Sequence, residues 1–298
     1  PGFYKVHLED TNIDVELTVS KRSGMHKYSF PAVDNQFVIL DLLHRDKVLA
    51  AEINRISDTE LSGFRFSEAW ATDQRLFFSI KTSHSFTNVL QSPPKREMAA
   101  AQKIALNFIN PNNEPIFIKI GISAVDIEGA KKNLEAEIGN KTFGEVKKTV
   151  QEFWEQQLEK IVIKDTNEDN KTNFYTSMYH VSIAPNLYQD VDGRYRGMDM
   201  KIHETKDFDY YTVFSLWDTY RAAHPLYTII EQDKTNHFIN TFLAKYDEGG
   251  IMPIWDLAGN YTHCMIGYHA VPVIADAYLK GIRKYNVEKA FKAMKHSA

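Results

Sequence analysis

The apolar residues change their period once along this chain, near Ser123, and that change requires two differently built halves. Before it, Ile13, Val15, Leu17 and Val19 alternate with Asp14, Glu16 and Thr18, the period of two that a half-buried strand needs. Strand-like runs follow at Phe37 to Leu43, Leu61 to Phe66, Leu76 to Lys81, Ile104 to Ile109 and Ile116 to Ile122, separated by Gly, Pro, Asn and Asp. Many short, closely spaced strands predict a β-sandwich over residues 1–122. From Ser123 onward Ile127, Ala130, Leu134 and Ile138 recur at helical spacing, with Ser123 and Asp126 at capping-box distance. Thr142 and Glu145 repeat that signal ahead of Val146, Val150, Phe153, Trp154 and Ile161, so residues 123–164 are expected to be a helical linker.

After a polar stretch from Asp165 to Lys171, residues 165–298 read as helices alone, near 173–184, 216–230, 234–246, 261–281 and 287–296. Pro185, Gly249-Gly250 and Gly281 supply stops, and Pro272 is expected to kink the fourth helix. Helices joined by loops rich in Trp, Asp, His and Asn predict a toroid of hairpins whose loops line a site. Five helices are too few to close a twelve-helix barrel, and no fixed-period repeat is present. The sequence is therefore read as an internal fragment of a longer chain, an expectation that the start Pro1-Gly2-Phe3 supports.

Charge and cysteine usage remove several classes of function. The 35 Lys and Arg are outnumbered by 39 Asp and Glu, which argues against a broad phosphate-binding surface and so against a nucleic-acid partner. No apolar run approaches the roughly 18 residues that a spanning helix needs, and no membrane partner is expected. Cys264 is the single cysteine, so neither an intrachain disulfide nor a CxxC site can form, and it is expected to pack as a small buried apolar group. Gly-rich phosphate loops and the GxSxG nucleophile pattern are also absent.

Two segments carry chemistry. In Ser215-Leu-Trp217-Asp218-Thr-Tyr220-Arg221, Trp217 has the ring to pack on the apolar face of a pyranose, Asp218 accepts hydroxyl hydrogen bonds, and Arg221 can orient the carboxylate. The same spacing equally describes a helix cap with an i, i+3 ion pair, and the residues alone favour that structural role. In the second segment, Gly249 to His269, Asn260 and His263 suit either ligand contacts or caps. His263 and His269 stand six apart, which on one helix turns them away from each other and excludes a zinc pair. Asp190-Val-Asp192-Gly193 fails the calcium-loop pattern, because its glycine is fourth and its twelfth residue is Lys201, so a turn is expected.

SLWDTYRAAHP from Ser215 and the DFDYYTVF before it resemble glycoside hydrolase family 92, the calcium-dependent exo-acting α-mannosidases. VDGRYRGMD from Val191, GGIMPIWDLAGNYTHCMIGYHA from Gly249 and VPVIADAYLKGI from Val271 are similar to the same family, and IDVELTVSKRSGMHKYSFP and ISAVDIEGAKKNLEAE resemble its sandwich and linker. The resemblance implies an α+β multidomain chain: an incomplete N-terminal β-sandwich, a helical linker, and the first helices of an (α/α)6 barrel over 165–298. It further implies removal of terminal α-1,2-linked mannose from mannose-containing glycans with inversion, a periplasmic or secreted bacterial setting, and Ca2+ as cofactor. Inversion places an acid and a base roughly 6.5 to 9.5 Å apart around a water. By resemblance Trp217, Asp218 and Arg221 belong to the terminal-mannose subsite, with Asn260, His263 and His269 as further contributors. The family's acid motif, similar to EGNxWQ, its base motif, similar to GNxDxGxxSAW, and its calcium ligands have no counterpart here. The isolated chain is thus expected to be inactive and to associate with the rest of its enzyme, and were it active, Asp218 and Asp256 would be the first carboxylates to test. An inverting disaccharide phosphorylase and a nonenzymatic carbohydrate-binding module are the alternatives.

Overall fold

The computed structural model describes residues 1–91 and 103–298, which divide into two units. The first comprises Pro1–Ala69, Arg75–Gln157 and Asp190–Asp192, and the second Trp70–Gln74, Leu158–Gln189 and Gly193–Ala298.

The first unit holds β1 (Phe3–Leu8), β2 (Ile13–Val19), β3 (Ser23–Ser29), β4 (Gln36–Asp41), β5 (Lys47–Arg55), β6 (Glu60–Glu68), β7 (Gln74–Thr82), β8 (Phe86–Gln91), β9 (Lys103–Phe108) and β10 (Ile116–Ser123). They form a seven-stranded sheet ordered β1-β2-β3-β10-β7-β6-β5 and a three-stranded sheet ordered β4-β9-β8. Leu61, Phe78, Ile80 and Ile118 of the first sheet and Phe86, Ile104, Leu106 and Phe108 of the second share one buried cluster, the core of a sandwich. The period of two in β10 explains its double duty. Ile116 and Ile118 enter that core, while Phe117 on the other face packs with Met25, Leu134, Ile138, Phe143 and Val146. The last four belong to or flank α1 (Ile127–Glu137) and α2 (Phe143–Leu158), which cover the outer face of the large sheet.

Four strands have no counterpart among the expected runs, the first being β1. β3 is polar in sequence (SGMHKYS), and its ladders with β2 and β10 define it. β5 carries helix-favouring Ala50, Ala51 and Glu52, yet pairs with β6 as an edge strand with an irregularity between Val48 and Ala50. β8 is short and pairs with β9 through a similar irregularity. The Thr142 capping box forms as expected, Thr142 N donating to Glu145 Oε2 at 2.7 Å and Glu145 N to Thr142 Oγ1 at 3.3 Å. The Ser123 box does not. Ser123 still belongs to β10, so α1 is capped by Asp126, whose Oδ1 accepts Gly129 N at 2.6 Å.

The second unit corrects the expectation of helices alone. α3 (Glu168–Val181) is followed by β11 (Asn186–Leu187), β12 (Arg194–Arg196), β13 (Ile202–Glu204) and β14 (Tyr211–Thr212), then α4 (Leu216–Thr219), α5 (Ala223–Ile230), α6 (Gln232–Gly249), β15 (Asp256–Leu257), β16 (Asn260–Tyr261), α7 (Ala270–Leu279) and α8 (Val287–Ser297). The short strands pair as β11-β14, β12-β13 and β15-β16 ribbons. The single helix expected over 216–230 is broken into α4 and α5, and the one expected over 261–281 begins only at Ala270. His263, Met265 and Gly267 have φ of 54°, 64° and 83°, values a right-handed helix cannot contain. Pro272 consequently stands third in α7, where its missing N–H would have had no helical partner, and the expected mid-helix kink has no cause. Phe214, Leu216, Phe238, Phe242, Ile274 and Ala290 are among the residues that pack α4 to α8 into one buried core.

Gly121 and Gly144 offer opposite tests of this packing. A Cβ on Gly121 would lie 2.2 Å from Ala130 O and 2.7 Å from Leu134 Cβ, whereas one on Gly144 in α2 meets nothing within 4 Å. Gly121→Ala should lower stability in urea unfolding by about 1–3 kcal/mol, and Gly144→Ala should raise it by about 0.5–1 kcal/mol.

Candidate functional site

The region around residues 210–269 is built on buried polar groups. Lys245 of α6 and Asp256 of β15 are fully buried, with Nζ 2.7 Å from Oδ2. Thr212 Oγ1 donates to the same carboxylate oxygen at 2.9 Å and Phe214 N approaches Oδ1 at 3.4 Å, while Thr212 Oγ1 in turn accepts Ala258 N at 2.9 Å. One helical turn further along α6, Glu248 accepts the hydroxyls of Tyr195 at 2.9 Å and Tyr210 at 3.0 Å and the amide of Met198 at 3.0 Å. Burial and the Glu248 charge hold both phenols well above their ordinary range, so they remain neutral donors. Because Asp256 has no exposure and serves Lys245, it cannot present itself to a solute.

Above this frame the chain brings four of its aromatic and charged groups together. Ser215 forms an antiparallel bridge with Trp255, and Leu216 N donates to Ile254 O at 3.2 Å, so 214–216 and 254–256 run side by side. Ser215 precedes α4 but makes no side-chain cap; its Oγ donates to Asp218 Oδ2 at 2.5 Å. Asp218 is exposed, and its Oδ1 accepts no hydrogen bond among the described residues. Arg221 does not pair with Asp218. Its guanidinium lies 5.5 Å over the Trp217 ring and 5.1 Å over Tyr220, a cation–π arrangement. The His269 ring stacks on Tyr220 at 4.3 Å, 5° from parallel, and meets Trp217 edge-on at 5.3 Å. Its Nε2 is buried without a hydrogen-bond partner and faces Gly267, where a Cβ would intrude to 2.7 Å. Trp217, Tyr220, Arg221 and His269 thus form one cluster, and Asp218, next in sequence to Trp217, is held separately by Ser215.

Asn260 and His263 have different surroundings. Asn260 is buried, and its amide is fully used: Nδ2 donates to Asp73 O at 3.0 Å and Ala258 O at 2.9 Å, and Oδ1 accepts Thr72 Oγ1 at 3.1 Å and Asp73 N at 3.0 Å. His263 is exposed in the loop after β16, its ring 5.0 Å from Tyr261. It shares no helix with His269, so the expected helical separation of the two does not apply. Cys264, in the same loop, is only half-buried, contrary to expectation, because the loop replaces the helix that would have covered it.

No sequence pattern singles out Tyr220, Lys245 or Trp70. Trp70 is 60% exposed, and its ring centroid is 5.4 Å from that of Trp255. Its one signal was a lone large ring in a polar turn, EAWATDQ, which acquires meaning only from the contact with Trp255.

Asp190 is engaged within the chain: it accepts Ser123 Oγ at 2.7 Å and Asn133 Nδ2 at 2.8 Å, and Gly193, with φ of 93°, makes the expected turn. Among the described residues no three His, Cys, Asp or Glu converge as a metal site. Among the described residues, then, no carboxylate and imidazole group is gathered that would hold a calcium ion.

A family model described as the glycosyl hydrolase family 92 N-terminal domain matches residues 1–123, and one described as the glycosyl hydrolase family 92 catalytic domain matches residues 129–298. No curated protein matches this sequence. Among solved structures, the chain is similar to a family GH92 α-mannosidase from Bacteroides thetaiotaomicron at 33% identity and a TM-score of 0.91, covering 100% of this chain and 42% of that one. The complex of that enzyme with mannoimidazole matches at 32% identity and a TM-score of 0.90, covering 100% and 41%. A family GH92 inverting mannosidase from Bacteroides thetaiotaomicron matches in fold, with 24% identity, a TM-score of 0.88, and coverage of 99% and 41%. The chain therefore spans about two fifths of these structures, and its fold is their N-terminal β-sandwich followed by the start of an α/α barrel.

Two measurements test the frame. Lys245→Met should cost about 3–5 kcal/mol by leaving a buried carboxylate unpaired. The double variant Lys245→Met, Asp256→Leu should recover only part of that in urea unfolding, since Thr212 Oγ1 and Phe214 N lose their acceptor. His224 is boxed by Tyr227, Phe238 and Phe242, and burial pushes its imidazole down to about 4. The unfolded chain takes up that proton near 6.5, so this contribution is complete above 6.5 and is lost as pH falls toward 4, on the order of 3 kcal/mol in all. Thermal unfolding from pH 7 to 4 should show a shallower slope for His224→Phe.

Proposed function

Because the chain belongs to glycosyl hydrolase family 92, we propose that it supplies the sandwich and part of the sugar-binding region of an exported α-mannosidase that removes terminal α-1,2-linked mannose from glycans with inversion. The observation that carries this reading is Asp218: an exposed carboxylate, oriented through one oxygen by Ser215, on the residue that follows Trp217.

Each residue of the cluster has a part in this reading. Trp217 offers its ring to the C–H face of a pyranose, and Asp218 accepts hydrogen bonds from neighbouring hydroxyls. Arg221 sits over the Trp217 ring and braces it by a cation–π contact. His269, stacked on Tyr220, limits the positions Trp217 can take. Asn260 and His263 enter only indirectly, Asn260 through the segment it fixes and His263 as a loop group at the margin. No residue of this chain is assigned as acid or base, since neither motif occurs in it. Calcium dependence belongs to the reading of the whole enzyme, with ligands other than the residues described here.

Mannose release from α-1,2-mannobiose, measured with calcium and with a chelator, should be found for the complete gene product and not for the 298-residue chain. Turnover by the short chain would overturn the assignment and make Asp218 the carboxylate to test first, since burial removes Asp256. In the complete enzyme Asp218→Asn should reduce kcat/KM about 10- to 100-fold, the effect of losing hydrogen bonds to a charged group.

A further inference from the structure

The cluster around Trp217 accounts for one sugar, and the structure carries a second aromatic surface beside it. Trp70 and Trp255 lie 5.4 Å apart, centroid to centroid, inclined by 52°, and Trp70 keeps 60% of its surface in water. Burial does not explain an indole left so exposed next to another. Nor is its position loose. Ala71, the next residue, is buried, and Thr72 and Asp73 are fastened to Asn260 by three of the four hydrogen bonds that its amide makes. Asn260 therefore fixes the turn that carries Trp70 against the segment that carries Trp255.

A backbone bridge ties this surface to the segment that bears the first one. Trp255 and Ser215 are directly opposed in an antiparallel bridge, and opposed residues project their side chains to the same face, about 5 Å apart. The Ser215 hydroxyl holds Asp218, so the backbone that carries Trp255 lies one strand spacing from the residue that orients the carboxylate. A two-indole surface with a fixed turn, adjacent to a carboxylate and a third indole, suits a chain of pyranoses better than an apolar peptide, because rings with one C–H face and a rim of hydroxyls match that alternation of aromatic and polar groups.

We propose that Trp70 and Trp255 form a second stacking position that receives the sugar next to the terminal mannose, with Asn260 as the positioning residue that holds Trp70 in place. This rests on the mannosidase reading of the Trp217 and Asp218 cluster. No covalent step is involved; the pair supplies affinity for a second ring.

The test uses the complete enzyme, with α-1,2-mannobiose as a two-ring probe and mannoimidazole as a one-ring probe. Trp70→Ala should raise KM for mannobiose about tenfold with kcat nearly unchanged, while the inhibition constant of mannoimidazole moves less than twofold. Trp70→Phe, which keeps an aromatic ring, should restore most of the affinity. Asn260→Asp, which removes two donors, should reproduce the same split and also abolish the coupled near-ultraviolet circular dichroism of the two indoles, a signal that a merely stabilising residue would leave intact. Equal losses for both probes, or unchanged KM for mannobiose in a folded Trp70→Ala enzyme, would overturn the second stacking position. An enzyme that neither cleaves mannobiose nor binds mannoimidazole would instead overturn the mannosidase reading itself.

Discussion

The ion pair between Lys245 and Asp256 is the constraint on which the second unit depends. Two charges removed completely from water are costly, and the cost is offset only because every partner is in place at once. Asp256 takes Thr212 as well as Lys245, and Thr212 takes the Ala258 amide, so a single carboxylate fixes the relation of α6, β14 and β15. Glu248, three residues along the same helix, ties the β12 and β14 ribbons in the same way through two phenols and an amide. One face of α6 thus carries two polar nodes amid an apolar core.

The exposed cluster inherits its order from those nodes. Residues 214–216 and 254–256 are held side by side, so Trp217, Asp218 and Trp255 have fixed starting points. Such a division of labour leaves surface groups open to a solute while the hydrogen bonds that place them stay dry. Asn260 shows the principle in one residue. Its amide is exhausted by the chain, so its influence on any ligand passes through the turn bearing Trp70.

Most of the sandwich was legible because its strands show the apolar alternation of a face turned to a core: β2, β7, β9 and β10 could be read from period alone. β3 and β5 could not, since one is polar and the other rich in helix formers, and both are strands through the ladders their neighbours impose. The same limit misplaced α7. Tyr261 to His269 has helical spacing of apolar residues, but three positive φ values and the β15-β16 ribbon take that stretch out of the helix, leaving Ile266 and Tyr268 in solvent. In the candidate site, the motif residues Trp217, Asp218, Arg221 and His269 stood out in the sequence; their mutual contacts did not.

What the sequence alone determined was the two-part order, strands and then helices, because hydrophobic period is a local property that each segment carries with it. It also determined the family, because long motifs persist in linear order. Tertiary structure decided the fate of the polar residues. Asp218 and Asp256 look alike as members of similar Trp-Asp pairs, yet one is in water and the other is sealed against Lys245. Lys245 reads as a solvated charge and Trp70 as an isolated ring. Only tertiary packing separates these cases, since burial and partnership arise between residues from 11 to nearly two hundred positions apart, and no local pattern encodes them.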